Sequence, residues 1–136
     1  MAPECRDASD AHEWLRRARS NFARAAADPP HPDILHEDLC FDAQQAAEKA
    51  IKAVLIHRGI RFPKTLAIAD LLSLAAKNDV EIPPEVSVAT DLTTHAVDSR
   101  YPGTSESVSR EEWIEAVASA HRVLRWAQAV IGPPGN

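Results

Sequence analysis

Apolar residues recur at intervals of three and four along most of the chain, which is the pattern of helices with one buried face. The first helix is predicted from about Ala11 to Ala27, with Asp10 as its N-cap and Glu13 three residues later as in a capping box. The proline-rich run after Asp28 ends it, because residues before proline are pushed out of the α region. Its apolar stripe is formed by Leu15, Ala18, Phe22 and Ala25.

The same spacing of apolar residues predicts two longer helices. One is predicted from about Ile34 to His57, ended by Gly59, with a favourable Glu48–Lys52 pair on another face. The other runs from Ser109, which opens a capping box with Glu112, to about Ile131. The inward positions are Leu39, Ala43, Ala47, Ala50, Val54 and Leu55 on the first, and Trp113, Val117, Ala120, Leu124, Ala127 and Ile131 on the second.

The remaining segments predict a short helix from about Leu66 to Lys77 and a fourth helix that Pro83 or Pro84 opens and that ends before Tyr101. Prolines interrupt the valine-rich stretch around residues 80–88 and argue against a strand there. The fold class is therefore all-α, an antiparallel bundle of four longer helices plus one short helix. We assign residues 8–131 to this single domain, and residues 1–7 and 132–136 to flexible termini.

Composition narrows the class of protein. The 136 residues carry a net charge of −5, so no overall basic character indicates nucleic-acid binding, although a local basic site stays open. Cys5 and Cys40 lie far apart in sequence and are expected to be free thiols. The chain shows no signal peptide and no apolar run near the roughly 18 residues of a membrane helix. We therefore predict a cytoplasmic protein without membrane association.

Two segments resemble a known family. The first is Cys40-Phe-Asp-Ala-Gln-Gln-Ala-Ala-Glu-Lys-Ala-Ile-Lys-Ala53, followed by His57-Arg-Gly-Ile60. The second is Leu92-Thr-Thr-His-Ala-Val-Asp-Ser-Arg-Tyr-Pro-Gly103. Together they are similar to the signature of the HEPN family, named for its occurrence in higher eukaryotes and prokaryotes. The predicted bundle agrees with the fold that this resemblance implies.

The resemblance implies properties that the periodicity does not. HEPN proteins typically form homodimers, and many prokaryotic ones pair with a minimal nucleotidyltransferase in a two-gene toxin–antitoxin or defence module. Many act as metal-independent ribonucleases, whereas others bind nucleotides or serve as non-catalytic partners. Our leading interpretation is the dimeric subunit of such a module. The alternatives are a ribonuclease toxin and a non-catalytic nucleotide-binding or adaptor bundle.

Ribonuclease members of the family use an arginine and a following histidine that are separated by four to six residues. Here Arg61 leads to Leu66 instead of histidine, which leaves the enzymatic activity undecided. The best candidates are His95 to move a proton and Arg100 to hold a phosphate, in reversed order. The alternative is a polar helix face on which Arg100 caps carbonyls or pairs with Asp98. The ligand- or partner-binding candidates are Asp98, Tyr101, Gln45 and Lys49.

Other chemistry finds no support in the sequence. The histidines are scattered, and no His, Cys, Asp or Glu cluster has the spacing of metal ligands, so we predict no metal site. No phosphate loop, glycine-rich nucleotide motif or nucleophile elbow is present, and no cofactor is predicted. Trp14, Trp113 and Trp126 are expected to pack in the core or at a dimer contact, although they could also stack on bases.

Overall fold

The computed structural model describes residues 10–28, 31–64, 67–92 and 108–134, and every regular element within these ranges is a helix. The all-α class is confirmed. The predicted number of long helices depends in part on residues 93–107, which lie outside the described ranges, as do residues 1–7 and 135–136 of the predicted termini. The helices are α1 (Ala11–Ala26), α2 (His36–His57), α3 (Ile68–Lys77), α4 (Pro84–Ser87) and α5 (Arg110–Ile131).

Local sequence signals set most helix ends. The Asp10 side chain accepts a hydrogen bond from the His12 backbone N–H at 3.0 Å, as its role of N-cap requires. At the start of α5 the predicted capping box is complete: the Glu112 N–H donates to Ser109 Oγ at 3.0 Å, and the Ser109 N–H donates to Glu112 Oε1 at 2.8 Å. Gly59 ends α2 with a φ of 73°, a left-handed conformation that glycine adopts without strain.

The prediction of one continuous fourth helix is wrong. The α4 helix stops at Ser87, and Val88 and Ala89 form a turn before residues 90–92 become helical again. The N–H groups of Ala89, Asp91 and Leu92 each donate to the carbonyl three residues earlier, which tightens the backbone beyond an α-helix. β-Branched side chains at Val86, Val88 and Thr90 lower the helix propensity of this stretch. The short local bonds therefore prevail over helix propagation.

The core is built around α2. This helix packs against α1, α5 and α3, and from Ala50 to Leu55 each of its residues is buried. Small side chains allow that enclosure, because helix axes approach closely where alanines face each other. Every inward position predicted for α2 is buried, and so are those predicted for α3, namely Ile68, Leu71, Leu72 and Ala75.

Side-chain contacts fix the directions of the three long helices. Asn21 and Arg24 of α1 contact Lys49 and Asp42 of α2 respectively, so the two helices run antiparallel. At the two ends of α5, Trp113 Nε1 donates to the Ala25 carbonyl and His12 Nε2 lies 3.1 Å from the Gly132 carbonyl oxygen, so α5 is also antiparallel to α1. No helix in the described part of the chain is long and apolar enough to cross a membrane.

Candidate functional site

The predicted site residues fall into two groups. His95, Asp98, Arg100 and Tyr101 lie within residues 93–107, outside the described part of the chain, so their roles stay predictions. Gln45 and Lys49 lie on α2, where both side chains are partly exposed. The described site is therefore built around these two residues.

Gln45 and Lys49 belong to a row of polar side chains where α1 faces α2. We call this row the α1–α2 polar strip. The spacing of its members places them on one face of each helix, since residues three and four apart are neighbours on a helix surface. Its members are Arg17, Asn21 and Arg24 of α1, and Asp42, Gln45 and Lys49 of α2.

A buried asparagine links the two helices of the strip. Asn21 is 7% exposed; its Oδ1 accepts from Lys49 Nζ at 2.7 Å and its Nδ2 donates to Asp42 Oδ1 at 3.1 Å. The same Asp42 oxygen accepts from Arg24 at 2.6 Å. This network holds the Lys49 ammonium and the Arg24 guanidinium at fixed places along the strip. Because the Arg24 side chain is 65% exposed, its remaining donors reach solvent.

The strip has a positive local charge in an acidic chain. Partial burial lowers the pKa of the Lys49 ammonium; the charges of Arg17 and Arg24 lower it further, whereas Glu48 and Asp42 oppose them. Arg17 is itself 54% exposed and donates through Nε to Glu13 at 2.8 Å. Glu13, Asp42 and Glu48 already offset part of the repulsion among the three cations, and a bound anion would offset more of it.

A second hydrogen-bonded row continues from the strip along α2. Gln45 donates to Gln44 Oε1 at 2.9 Å, and Gln44 donates to Glu48 Oε1 at 2.9 Å. Glu48 Oε2 accepts from Lys52 Nζ, also at 2.9 Å. The predicted Glu48–Lys52 pair is therefore formed. The pair does not lie on an exposed helix face, because the Lys52 side chain is only 8% exposed and lies near the Trp14 and Phe62 rings.

Other reactive groups in the described residues have structural explanations. Burial raises the pKa of the Cys40 thiol to about 11, with Glu112 and Glu37 adding to the shift, so the residue is a poor nucleophile at neutral pH. Within residues 10–28, 31–64, 67–92 and 108–134, no three His, Cys, Asp or Glu side chains come together in a group able to hold a metal ion. The Trp113 side chain is buried and hydrogen-bonded, as the packing interpretation predicted.

A small crevice lies where the start of α1 meets the end of α5. It has a volume of about 250 Å³, and His12 and Arg19 provide its charged or ionisable lining. Because His12 Nε2 is bonded to the Gly132 carbonyl, the imidazole joins α1 to α5.

The chain matches a known protein family. The model of the HEPN domain matches residues 11–130. The chain belongs to the HEPN family. Its fold is similar to the crystal structure of TT1696 from Thermus thermophilus, with a TM-score of 0.74 and 30% identity over 88% of this chain and 97% of that one. It is also similar to ST0689, an archaeal HEPN homologue, with a TM-score of 0.68 and 25% identity over 90% of this chain and 98% of that one. No curated protein is significantly similar to it.

In this HEPN chain, the segment that carried the first resemblance forms the middle of α2. Its polar residues contribute half of the α1–α2 polar strip and all of the row from Gln45 to Lys52. The sequence pattern did not identify Arg17, Asn21, Arg24 and Asp42 as site residues. Their helical spacing on α1 was readable, but their position opposite Lys49 was not, because it depends on how α1 packs on α2.

Proposed function

We propose that this HEPN protein is a homodimeric cytoplasmic subunit that binds the phosphate of a nucleotide or RNA through Arg17, Arg24 and Lys49 of the α1–α2 polar strip. In this proposal it works beside a minimal nucleotidyltransferase in a prokaryotic toxin–antitoxin or defence module. The observation that carries the proposal is that the hydrogen-bonded pair Asn21–Asp42 holds both Lys49 and Arg24, while the charge of Arg17 acts on Lys49. These three cations share the strip with a single carboxylate member, Asp42, in a chain whose net charge is −5.

The residue types of the strip suit phosphate. Arginine presents a planar fork that can hold two phosphate oxygens, and lysine supplies a compact point charge. Asn21 fixes the Lys49 ammonium before any ligand arrives, which lowers the entropic cost of binding. Glu13 and Asp42 compete for the two guanidinium groups, so we expect modest affinity and a strong dependence on salt.

The expectation of a partner protein and of a dimer rests on family membership. HEPN proteins that pair with a minimal nucleotidyltransferase act beside an enzyme whose substrates are nucleoside triphosphates. A phosphate-binding strip on the HEPN subunit fits that chemistry. Co-expression with the neighbouring gene, followed by affinity purification and measurement of the mass of the complex, tests this part of the proposal. A HEPN subunit that is purified alone, as a monomer, would contradict it.

Ribonuclease activity is the second candidate, and it depends on His95 and Arg100. The strip can hold a phosphodiester, but its members include no histidine to move a proton. Cleavage would therefore need His95 or a group of the partner copy. A purely structural adaptor, the third interpretation, predicts that no phosphate ligand binds at all.

The binding proposal is tested by titrating the full-length protein with ATP, with inorganic tripolyphosphate and with a short single-stranded RNA. Lys49→Gln should weaken binding about tenfold, the loss expected for one charge-assisted hydrogen bond at a partly exposed site. Lys77→Gln is the matched control, because this exposed lysine ends α3 and makes the same change in charge. Equal affinities of the two variants for every ligand would refute the assignment of the strip. Higher affinity for RNA than for ATP would identify RNA as the ligand.

A further inference from the structure

The charge of Glu48 dictates how the two neighbouring glutamines are oriented. An ionised carboxylate can only accept hydrogen bonds, so Gln44 must turn its NH₂ group toward Glu48 Oε1, where the distance is 2.9 Å. The Gln44 carbonyl oxygen then points the other way and accepts from the NH₂ group of Gln45. The order of donors and acceptors along this row is thereby fixed from Lys52 to Gln45.

Gln45 is the outer end of the row. Gln44 is 7% exposed, whereas the Gln45 side chain is partly open to solvent. One N–H of Gln45 is used by Gln44, which leaves the carbonyl oxygen and the second N–H of an amide whose orientation is already set. Lys49 lies one turn further along α2, about 5–6 Å away between Cβ atoms. A fixed donor–acceptor pair therefore stands beside the cations of the strip.

We propose that Gln45 recognises the base of the ligand and that this base is adenine. The proposal rests on the proposed function, which places the phosphate at the α1–α2 polar strip. A glutamine amide matches the edge of adenine, whose exocyclic N–H donates to the amide oxygen while N7 accepts from the amide N–H. With the base at Gln45, the phosphates extend toward Lys49 and Arg17. Glu48 acts as a positioning residue, because it touches Gln44 and not the ligand.

The test compares ATP, GTP, CTP, UTP and inorganic tripolyphosphate as ligands of the full-length protein. For the unaltered chain we expect ATP to bind about tenfold more tightly than tripolyphosphate, since one two-pronged base contact supports discrimination of that order. Gln45→Met should reduce ATP affinity to that of tripolyphosphate and leave tripolyphosphate binding within about twofold. Gln128→Met on α5 is the matched control and should change neither affinity.

The positioning role has its own readout. Glu48→Met is made together with Lys52→Met, so that no buried charge is left unpaired, and it removes the acceptor that orients Gln44. Compared with Lys52→Met alone, it should abolish the preference for ATP over GTP while tripolyphosphate still binds. Glu48→Asp keeps the negative charge and should restore part of that preference. A purely structural role for Glu48 predicts instead that Glu48→Met weakens all ligands together.

The outcomes separate this proposal from the one on which it rests. If tripolyphosphate binds with a dependence on Lys49 but ATP binds no better, only the assignment of Gln45 is overturned. If Gln45→Met weakens the four nucleotides equally, the contact is to ribose, and the assignment to adenine is overturned. If neither ATP nor tripolyphosphate binds, the proposed phosphate site is wrong and the inference falls with it.

Discussion

Replacing Lys52 by methionine tests whether the bundle depends on a buried ion pair. Lys52 Nζ lies 2.9 Å from Glu48 Oε2 and 3.4 Å from the Lys64 carbonyl oxygen. It also lies 5.5 Å from the centroid of the Trp14 ring and 5.8 Å from that of Phe62. Methionine keeps most of the length of the side chain, but it removes the charge and with it the contacts of the ammonium with the two rings. Glu48 would then lose its cation while staying largely buried.

The expected loss of stability depends on how exposed Lys52 and Glu48 are. Removing one member of a buried ion pair costs about 3–5 kcal/mol, because the other charge is left without compensation. Glu48 is 19% exposed and keeps its hydrogen bond from Gln44, so solvent and the amide offset part of this loss. We expect Lys52→Met to lower the free energy of unfolding by about 2–3 kcal/mol. The double variant Lys52→Met/Glu48→Met should lose only about 1 kcal/mol, since no unpaired charge remains.

The assay is urea unfolding followed by far-UV circular dichroism at neutral pH, at one fixed protein concentration because a dimer is expected. Lys77→Met on the exposed end of α3 serves as the control for loss of a lysine charge and should change stability by less than about 0.5 kcal/mol. If the double variant is no more stable than Lys52→Met, the penalty does not come from an unpaired Glu48. A Lys52→Met variant as stable as the control would show that the pair is solvated in solution.

Further changes test the core, the buried thiol and the segment that contains Arg100. Ala50→Glu should prevent folding, because it places a charge at a fully buried position of α2, and an unaltered thermal melting curve would contradict this. In a Cys5→Ser background, Cys40 should resist alkylation until the pH approaches 11. Folding raises the pKa of this thiol from 9.0, so the native state binds more protons than the unfolded state above that pH. The free energy of unfolding should therefore fall as the pH rises from 9 to 11. Cys40→Ala should remove this pH dependence, which unfolding measured at several pH values would show. Arg100→Ala should abolish RNA cleavage or ligand binding with little change in melting temperature. Arg100→Lys should be nearly as damaging, because lysine cannot hold a phosphate with two prongs. Full activity of Arg100→Ala would refute the assignment of this site.

Much of the fold was predictable because the signals that define helices act over short distances. The capping box at Ser109 and the left-handed Gly59 involve residues a few positions apart, and both occur where the sequence predicted them. The apolar spacing of α2 and α3 likewise identified the residues that are buried. The exception is the segment after Ser87, where consecutive three-residue hydrogen bonds interrupt the predicted helix.

The sequence by itself determined the helical class, most helix ends, the apolar faces and the family resemblance of α2. Only the tertiary structure decided that Lys49 meets Asn21 across 28 residues of sequence, and that Arg24 meets Asp42 across 18. It also decided that Lys52 and Gln44 are buried, although both are polar. The physical reason is the distance along the chain over which each interaction acts. Periodicity and capping arise from contacts within a helical turn, whereas the charge of the α1–α2 polar strip depends on which helix packs beside α2 and in which register.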